Sequence, residues 1–295
     1  MIPCPRLALI SAASSILLLA GCARTVESAH FTQFGEGAAA VAAQSQAALA
    51  DSNKLAREVS VDRFIRSGQI GLTESSFAVA VDPKDIVAWQ SALSGIQKYA
   101  TLMASLTDAR RQPDTGDAVV ALGQQLNGLG AGISPGVAAG FATLAGVLVQ
   151  QQANSEAVRI IRAADPAMQA IFNGMADAIG GDDQTGLRGT VASNWTASVQ
   201  GVRLAYVDAA QARDGAKQRS LINQYLGALD SRDVQLRALS NLRSSLLTLA
   251  QAHAAEAAEQ HASASRLLSV IAAQAEETER LFAAVEAAQA KEGKN

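Results

Sequence analysis

The stretch AAAVAAQSQAALA, residues 38–50, decides the fold class of this chain because alanine is the strongest helix former. A second stretch of similar composition, AHAAEAAEQHASA, occupies residues 252–264 near the other end. Small side chains let two helix axes approach to about 8 Å, the low end of the usual range. We therefore expect the first and last long helices to pack against each other at these stretches and to form the spine of the molecule.

The composition extends this expectation to the whole chain. Of its 295 residues only 4% are aromatic, so each buried position contributes little bulk. Low bulk suits closely spaced helices better than a globular core around a deep pocket. The sequence predicts an all-α fold over residues 30–295, an elongated multi-helix bundle with long, coiled-coil-like helices.

Apolar residues recur at intervals of three and four, which is typical of helices that bury one face. We expect one helix to run from Val191 to about Leu229, and a single last helix to carry Leu239 through Leu281. The stripe of the first helix comprises Phe31, Phe34, Ala38, Val41, Ser45, Ala48, Ser52, Leu55 and Val59.

Three dipeptides predict helix starts: Asp82-Pro83, Ser134-Pro135 and Asp165-Pro166. In each, a short polar side chain can cap free N–H groups while proline occupies the first turn, where its missing N–H costs nothing. The first of these helices is expected to end near Arg111, and the third at Gly180-Gly181.

The middle of the chain, residues 117–155, is predicted to form a helical hairpin with no charged residue from 118 to 155. Its glycines fall at intervals of four, a spacing that resembles a glycine zipper, in which helices meet at backbone distance. The residues that this pattern marks for close contact with a membrane or a partner are Gly128, Gly132, Gly136, Gly140 and Phe141.

Three interpretations of this hairpin stay open at the level of sequence. A helix buried inside the bundle is also apolar all round, which favours a core hairpin. A hairpin that contacts a membrane between long helices is similar in layout to the α-helical pore-forming toxins of the cytolysin A and haemolysin BL type. An exposed apolar patch that binds a partner is the third interpretation.

The N-terminus carries the layout of a secretory signal, with Arg6 followed by apolar stretches over residues 7–10 and 16–20. The signal ends in Leu19, Ala20, Gly21 and Cys22. This end resembles the lipobox of bacterial lipoprotein precursors.

The resemblance implies that residues 1–21 are cleaved, that Cys22 carries covalent lipid such as palmitate, and that residues 22–29 form a lipidated tether. In lipoproteins the residue after the cysteine influences sorting, and Ala23 is not the aspartate that retains many of them in the inner membrane. The implied location is the cell envelope, on the outer membrane and facing the periplasm or the surface.

The charge balance argues against a nucleic-acid partner, because the formal net charge is −3 and no basic stripe occurs. Both cysteines lie within the first 22 residues. A cleaved and lipidated chain would therefore have no thiol left for a disulfide, and its stability would come from packing.

The sequence contains few recognisable catalytic motifs, and we predict no enzyme and no cofactor apart from the lipid. Residues 132–136, GISPG, match the letters of the Gly-x-Ser-x-Gly pattern, but they lie at a predicted Ser-Pro helix start without the preceding strand that a nucleophile elbow requires, and no phosphate-binding loop occurs. His253 and Glu256 lie three apart on one predicted helix face and are the weak candidates for metal ligands, with His261 nearby. A metal needs three or four ligands, so a metal-binding or enzymatic bundle is the lowest alternative.

These observations together predict a lipid-anchored envelope protein whose helical body is a structural or protein-interaction module at a membrane. Its partners would be the membrane, through the lipid, and an envelope protein that the sequence does not identify. The apolar stripes on long helices also favour a homo-oligomer. A membrane-active bundle is the alternative.

Overall fold

The computed structural model describes residues 28–107, 115–151 and 157–292. These residues form eight α-helices and a short 3-10 turn at Glu74–Ser76, with no strand in the described ranges. The predicted all-α multi-helix bundle is confirmed. The helices are α1 (Ser28–Arg66), α2 (Pro83–Thr107), α3 (Thr115–Leu126), α4 (Pro135–Gln150), α5 (Ala157–Ile179), α6 (Gly186–Gln211), α7 (Gly215–Ala257) and α8 (His261–Glu292).

Two long helices set the length of the molecule. The 39 residues of α1 and the 43 residues of α7 correspond to helices of about 58 and 64 Å. All nine residues of the stripe predicted for α1 are buried. Its serines tolerate burial because their hydroxyls donate to the carbonyl one turn earlier, as Ser45 does to Val41 and Ser52 to Ala48.

The other helices are distributed unevenly along this length. We call the end at which α1 begins and α7 ends the proximal end, and the opposite end distal. Next to the proximal end, α2 returns antiparallel along α1, where a Cβ at Gly35 would lie 3.4 Å from the Ala100 Cβ. In the same half, α5 runs antiparallel to α7, and the Gln169 side chain donates to the Ala250 carbonyl. The distal half contains fewer helices, with α6 antiparallel to α7.

The predicted single last helix is wrong, because α7 and α8 are two antiparallel helices. Side-chain hydrogen bonds join them, among them Asn241 to Thr278 at 3.1 Å. The chain reverses through Glu259, whose φ of 58° is left-handed, and the Gln260 N–H donates to the Ala255 carbonyl at 2.7 Å. This is the Schellman ending, which glycine normally occupies, so the sequence lacked the usual signal.

A second turn of the same kind interrupts the helix expected to reach Leu229. Here α6 ends at Gln211, Arg213 has a φ of 57°, and the Asp214 N–H donates to the Ala209 carbonyl. Again a residue other than glycine occupies the left-handed position. The chain therefore turns back, and α7 begins with the Asp214 carboxylate accepting from the Lys217 N–H.

The alanine-rich stretches meet only in part. Residues 252–264 contain the α7–α8 turn rather than one helix, so they do not form half of a two-helix spine. Instead the first turns of α1 lie between the end of α7 and the start of α8. A Cβ at Gly37 would be 3.4 Å from both Leu249 and Leu268.

Two of the three predicted helix starts are confirmed. Asp82 and Ser134 accept hydrogen bonds from N–H groups of the first turns of α2 and α4. The prediction for Asp165-Pro166 is wrong, because α5 begins at Ala157 and runs through Pro166. The buried apolar residues before the proline hold this turn in the helix, and the Asp165 carboxylate bonds to other helices instead of capping.

The predicted end of the third of these helices, at Gly180-Gly181, is confirmed. Helix α5 ends at Ile179, and Gly180 follows with a φ of 96°. Helix α2 is described to Thr107, so the expected end near Arg111 lies outside the described residues.

Candidate functional site

The predicted anchor lies outside the described residues, which begin at Ser28. This applies to the four residues of the lipobox-like end, Leu19, Ala20, Gly21 and Cys22. The first described residues of α1 belong to the proximal end of the bundle. A lipid on Cys22 would therefore attach close to that end.

The uncharged middle forms the hairpin of α3 and α4, which lies on α2 and α5. Its inner face is core: Phe141 is completely buried, and a Cβ at Gly140 would lie 2.7 Å from Ile171. Its outer face, which includes Ala142 and Val149, is exposed. In the described part of the chain, no helix is both long and apolar enough to cross a membrane.

The four glycines of the proposed zipper do not lie on one helix face, so this part of the prediction is wrong. Gly128 and Gly132 belong to the turn between α3 and α4, and Gly128 has a left-handed φ of 83°. Gly136 is exposed in the first turn of α4. Gly132 and Gly140 each approach a neighbouring helix closely, Gly132 at Ala88 of α2 and Gly140 at Ile171 of α5, but Ser134-Pro135 starts a new helix between them.

His253 lies at the centre of a buried polar network between three helices. Its Nε2 is 3.0 Å from the Tyr99 hydroxyl on α2, and its Nδ1 is 2.8 Å from the Asp165 carboxylate on α5. The tautomer with its proton on Nδ1 satisfies both contacts, since Nδ1–H donates to Asp165 and Nε2 accepts from Tyr99. Gln169 donates to Asp165 and to the Ala250 carbonyl, which ties the network to the backbone of α7.

The electrostatics of this network favour a structural role. Burial, helped by the negative charge of Asp165, raises the pKa of Tyr99 far above its usual value, so the phenol stays protonated. Burial also acts to raise the pKa of Asp165, but hydrogen bonds from His253 and Gln169 and attraction to His253 outweigh it and lower that pKa. A protonated phenol without exposure to solvent cannot act as a nucleophile, so the network positions α2, α5 and α7.

Glu256 belongs to a different cluster at the proximal end. One of its oxygens is 2.7 Å from His261 Nδ1 on α8, and the other is 3.6 Å from His30 Nδ1 on α1. The two imidazole rings are 5.1 Å apart, and Ser265 lies 3.1 Å from the His30 Nδ1. This cluster joins the first turn of α1 to the α7–α8 turn.

His253 and Glu256, the weak candidates for metal ligands, therefore contact different side chains. They share a helix but do not converge on one point. Among the residues that the structure describes, no three His, Cys, Asp or Glu side chains are grouped closely enough to hold a metal ion. Sequence analysis missed Tyr99, Asp165 and His30 as partners because packing alone brings them to α7.

The distal end presents a different surface, which we call the distal arm: residues 201–229, the end of α6 and the start of α7. Gly201 lies beside Arg66, the last residue of α1, so the arm continues past the end of that helix. Inside the arm, Ala209 and Leu221 are buried between its two helices. At its base the Trp195 indole N–H donates to the Gln235 side-chain oxygen at 2.6 Å.

The outer surface of the distal arm is apolar. Leu204 and Leu226 are each 52% exposed, and Val207 and Ile222 nearly as much. A groove of about 430 Å³ runs between the two helices and is lined by Tyr206 and Tyr225 among others. Tyr206 itself is 36% exposed.

Most exposed large apolar side chains of the described residues gather toward this end. Val61 and Ile65 lie at the end of α1, and Ile70 and Leu72 follow in the loop. Contiguous exposed apolar surface is uncommon on a monomer and marks interaction sites. The distal arm is therefore the candidate functional surface.

Comparison of the chain with protein families, with curated proteins and with solved structures finds no match.

Proposed function

We propose that this chain is a lipid-anchored protein of the bacterial cell envelope whose helical bundle holds a protein-docking surface away from the membrane. The observation that carries the proposal is the exposed apolar surface of the distal arm, at the end opposite to the start of α1. The resemblance of residues 19–22 to a lipobox supports the anchor, and Ala23 supports the outer membrane.

The dimensions fit this role. Helix α1 begins at Ser28, so residues 28–29 of the predicted tether are helical instead. The chain from Cys22 to Ser28 spans at most roughly 20 Å when extended, which keeps the proximal end near the lipid. Helix α1 then crosses about 58 Å to the distal half. An anchored bundle of this length would hold its docking surface well beyond the lipid headgroups, where a partner protein of the envelope can reach it.

The anchor is tested by labelling cells with radioactive palmitate and separating membranes from soluble material. Cys22→Ala should abolish the label and release the protein from the membrane fraction. Cys4→Ala is the matched control, because its thiol belongs to the segment that would be removed, and it should change neither result. Unlabelled protein, or membrane association that does not depend on Cys22, would refute the anchor.

The docking surface is tested with a photo-crosslinking amino acid placed at Leu204 or Val207 in the lipidated protein. We expect discrete protein adducts from these positions. The same group at Ala142, on the outer face of α4, is the control and should give none. A docking role for the arm is excluded if both arm positions give no adduct.

A second candidate function rests on the exposed, uncharged outer face of α3 and α4. We propose as the alternative that this face lies on a membrane, as a membrane-active bundle would require. The test is flotation of the Cys22→Ala protein with liposomes, together with release of a trapped dye. Val149→Glu should reduce binding if the face contacts lipid, and failure of the parent protein to float or to release dye would eliminate the alternative.

A further inference from the structure

The groove of the distal arm lies between two helical walls. On α6 the wall contains Arg203, Tyr206 and Val207, and on α7 it contains Ile222 and Tyr225. These residues are three or four positions apart on each helix, so they lie on one side of it. A groove between two helices accepts a third, amphipathic helix, whose apolar side chains enter at positions i, i+3 or i+4, and i+7.

One positive charge lies in this groove. Arg203 is the only charged residue among the described residues that line it, and its side chain is exposed. It forms no ion pair with any residue that the structure describes. Asp208 follows five positions later, which places it about 140° around α6 and away from this wall. A carboxylate on the occupant would therefore give Arg203 the partner that this chain does not supply.

The tip of the arm adds positive charge at one end of the groove. Arg213, Lys217 and Arg219 are exposed there, whereas the one acid of the tip, Asp214, already accepts a hydrogen bond from the Lys217 N–H. Residues 201–229 contain four basic and two acidic side chains, on a chain whose formal net charge is −3. The surface is thus both apolar and basic, and its occupant should be apolar and acidic.

The same charges argue against a second copy of this chain in the groove. A two-fold contact places one surface against its own copy. Two copies that met at this groove would therefore bring Arg203 toward Arg203 and one basic arm toward another. Like charges that face each other across an interface oppose association, so the surface favours a different protein.

We propose that the groove of the distal arm binds an acidic amphipathic helix of a partner protein. Its apolar side chains lie between α6 and α7, one of its carboxylates pairs with Arg203, and further acidic residues face the tip. The inference rests on the proposed docking function and names the chemistry of the partner.

The occupant is identified with a photo-crosslinking amino acid at Tyr225 in the lipidated protein in intact cells. The adduct is digested, and the linked peptide is sequenced by mass spectrometry. We expect a segment of another protein that has apolar residues at helical spacing and a net negative charge. An adduct of twice the chain mass, or a linked segment that is basic or lacks this spacing, would overturn the acidic helix while supporting docking. Absence of any adduct from Tyr225, Leu204 and Val207 would overturn the docking function as well.

The role of charge is tested by the yield of the same adduct. Arg203→Glu should lower the yield from position 225 at least about tenfold, because two like charges would then meet in the groove. Arg57→Glu, at an exposed position of α1 outside the arm, is the matched control and should leave the yield unchanged. Replacing the acidic residues of the linked segment by lysine should restore the yield with Arg203→Glu. An unchanged yield from Arg203→Glu, with helicity and membrane attachment retained, overturns the pairing.

Discussion

At the scale of single residues, His253 is a buried polar side chain that is bonded at both of its ring nitrogens. It is 1% exposed, and each ring nitrogen has one partner on a different helix. Buried polar groups of this kind stabilise a fold only while every member of the network is satisfied. Loss of one partner leaves the remaining group without a hydrogen bond and without water.

Tyr99→Phe should lower the free energy of unfolding by about 1–3 kcal/mol, because His253 Nε2 would be left buried without a donor. Denaturant unfolding followed by circular dichroism measures the change. The control is Tyr206→Phe on the distal arm, where the hydroxyl is not part of the network, and it should have little effect. Equal effects of the two substitutions would contradict the structural role of the network.

Asp165 makes the stability of the bundle depend on pH. Burial opposes its charge, but the hydrogen bonds from His253 and Gln169 prevail, so its pKa is lower in the folded protein than the value of about 3.9 in an unfolded chain. A carboxyl with a lowered folded pKa stabilises above its unfolded pKa, and this contribution is lost as pH falls through the folded pKa.

Asp165→Asn should therefore unfold at lower urea concentration than the parent protein at pH 7, and the difference should shrink as pH falls below about 4. Urea midpoints measured between pH 2 and 7 provide the comparison. Asp62→Asn, at an exposed position of α1, should follow the parent at every pH. A difference that does not vary with pH would show that the charge of Asp165 does not stabilise the fold.

At the scale of secondary-structure elements, α4 contains two interior glycines in different surroundings, and packing requires only one of them. A Cβ at Gly140 would come within 2.7 Å of Ile171, whereas Gly146 has open space around its Cα. Gly140 is therefore required by the approach of α4 to α5. At Gly146 no contact requires glycine, and the residue costs helix stability relative to alanine.

The two substitutions should change stability in opposite directions. Gly140→Ala should destabilise by about 1–3 kcal/mol through overpacking against α5. Gly146→Ala, in the same helix, should stabilise by roughly 0.5–1 kcal/mol through its backbone entropy. Thermal or denaturant unfolding of the pair provides the measurement, and stabilisation by both would contradict the close contact.

At the scale of the whole molecule, the two ends differ in chemistry. The proximal end is closed by the buried Glu256 cluster, which fixes the start of α1 to the α7–α8 turn. The distal end is narrower, apolar and basic at its tip. This polarity agrees with an anchor at one end and a docking surface at the other, as we propose.

The length and the reversal of the chain can be measured with spin labels. In a Cys4→Ser/Cys22→Ser background, labels at Arg219 and Gln251 should be about 48 Å apart, since α7 is continuous between them. Labels at Gln251 and Arg266 should lie at the spacing of neighbouring helices, about 10 Å. One uninterrupted last helix would instead separate the second pair by about 22 Å, which would disprove the α7–α8 turn.

Local sequence was sufficient for the helical class, the buried stripe of α1 and the caps at Asp82 and Ser134. Periodicity and capping operate within one or two helical turns, so neighbouring residues contain the whole signal. The turns at Arg213 and Glu259 escaped prediction because glycine, the usual signal, is absent from both left-handed positions. These two turns needed the packing of antiparallel helices to offset the unfavourable backbone conformation.

The contacts of His253 depended on tertiary structure for a different reason. Tyr99 lies 154 positions away and Asp165 lies 88, and nothing local distinguishes Asp165 from a helix cap. The same holds for the distal arm, whose apolar residues follow the helical period of a buried stripe. They are exposed because α1 ends at Arg66 and no described helix covers them, which is a property of helix lengths in the assembled bundle.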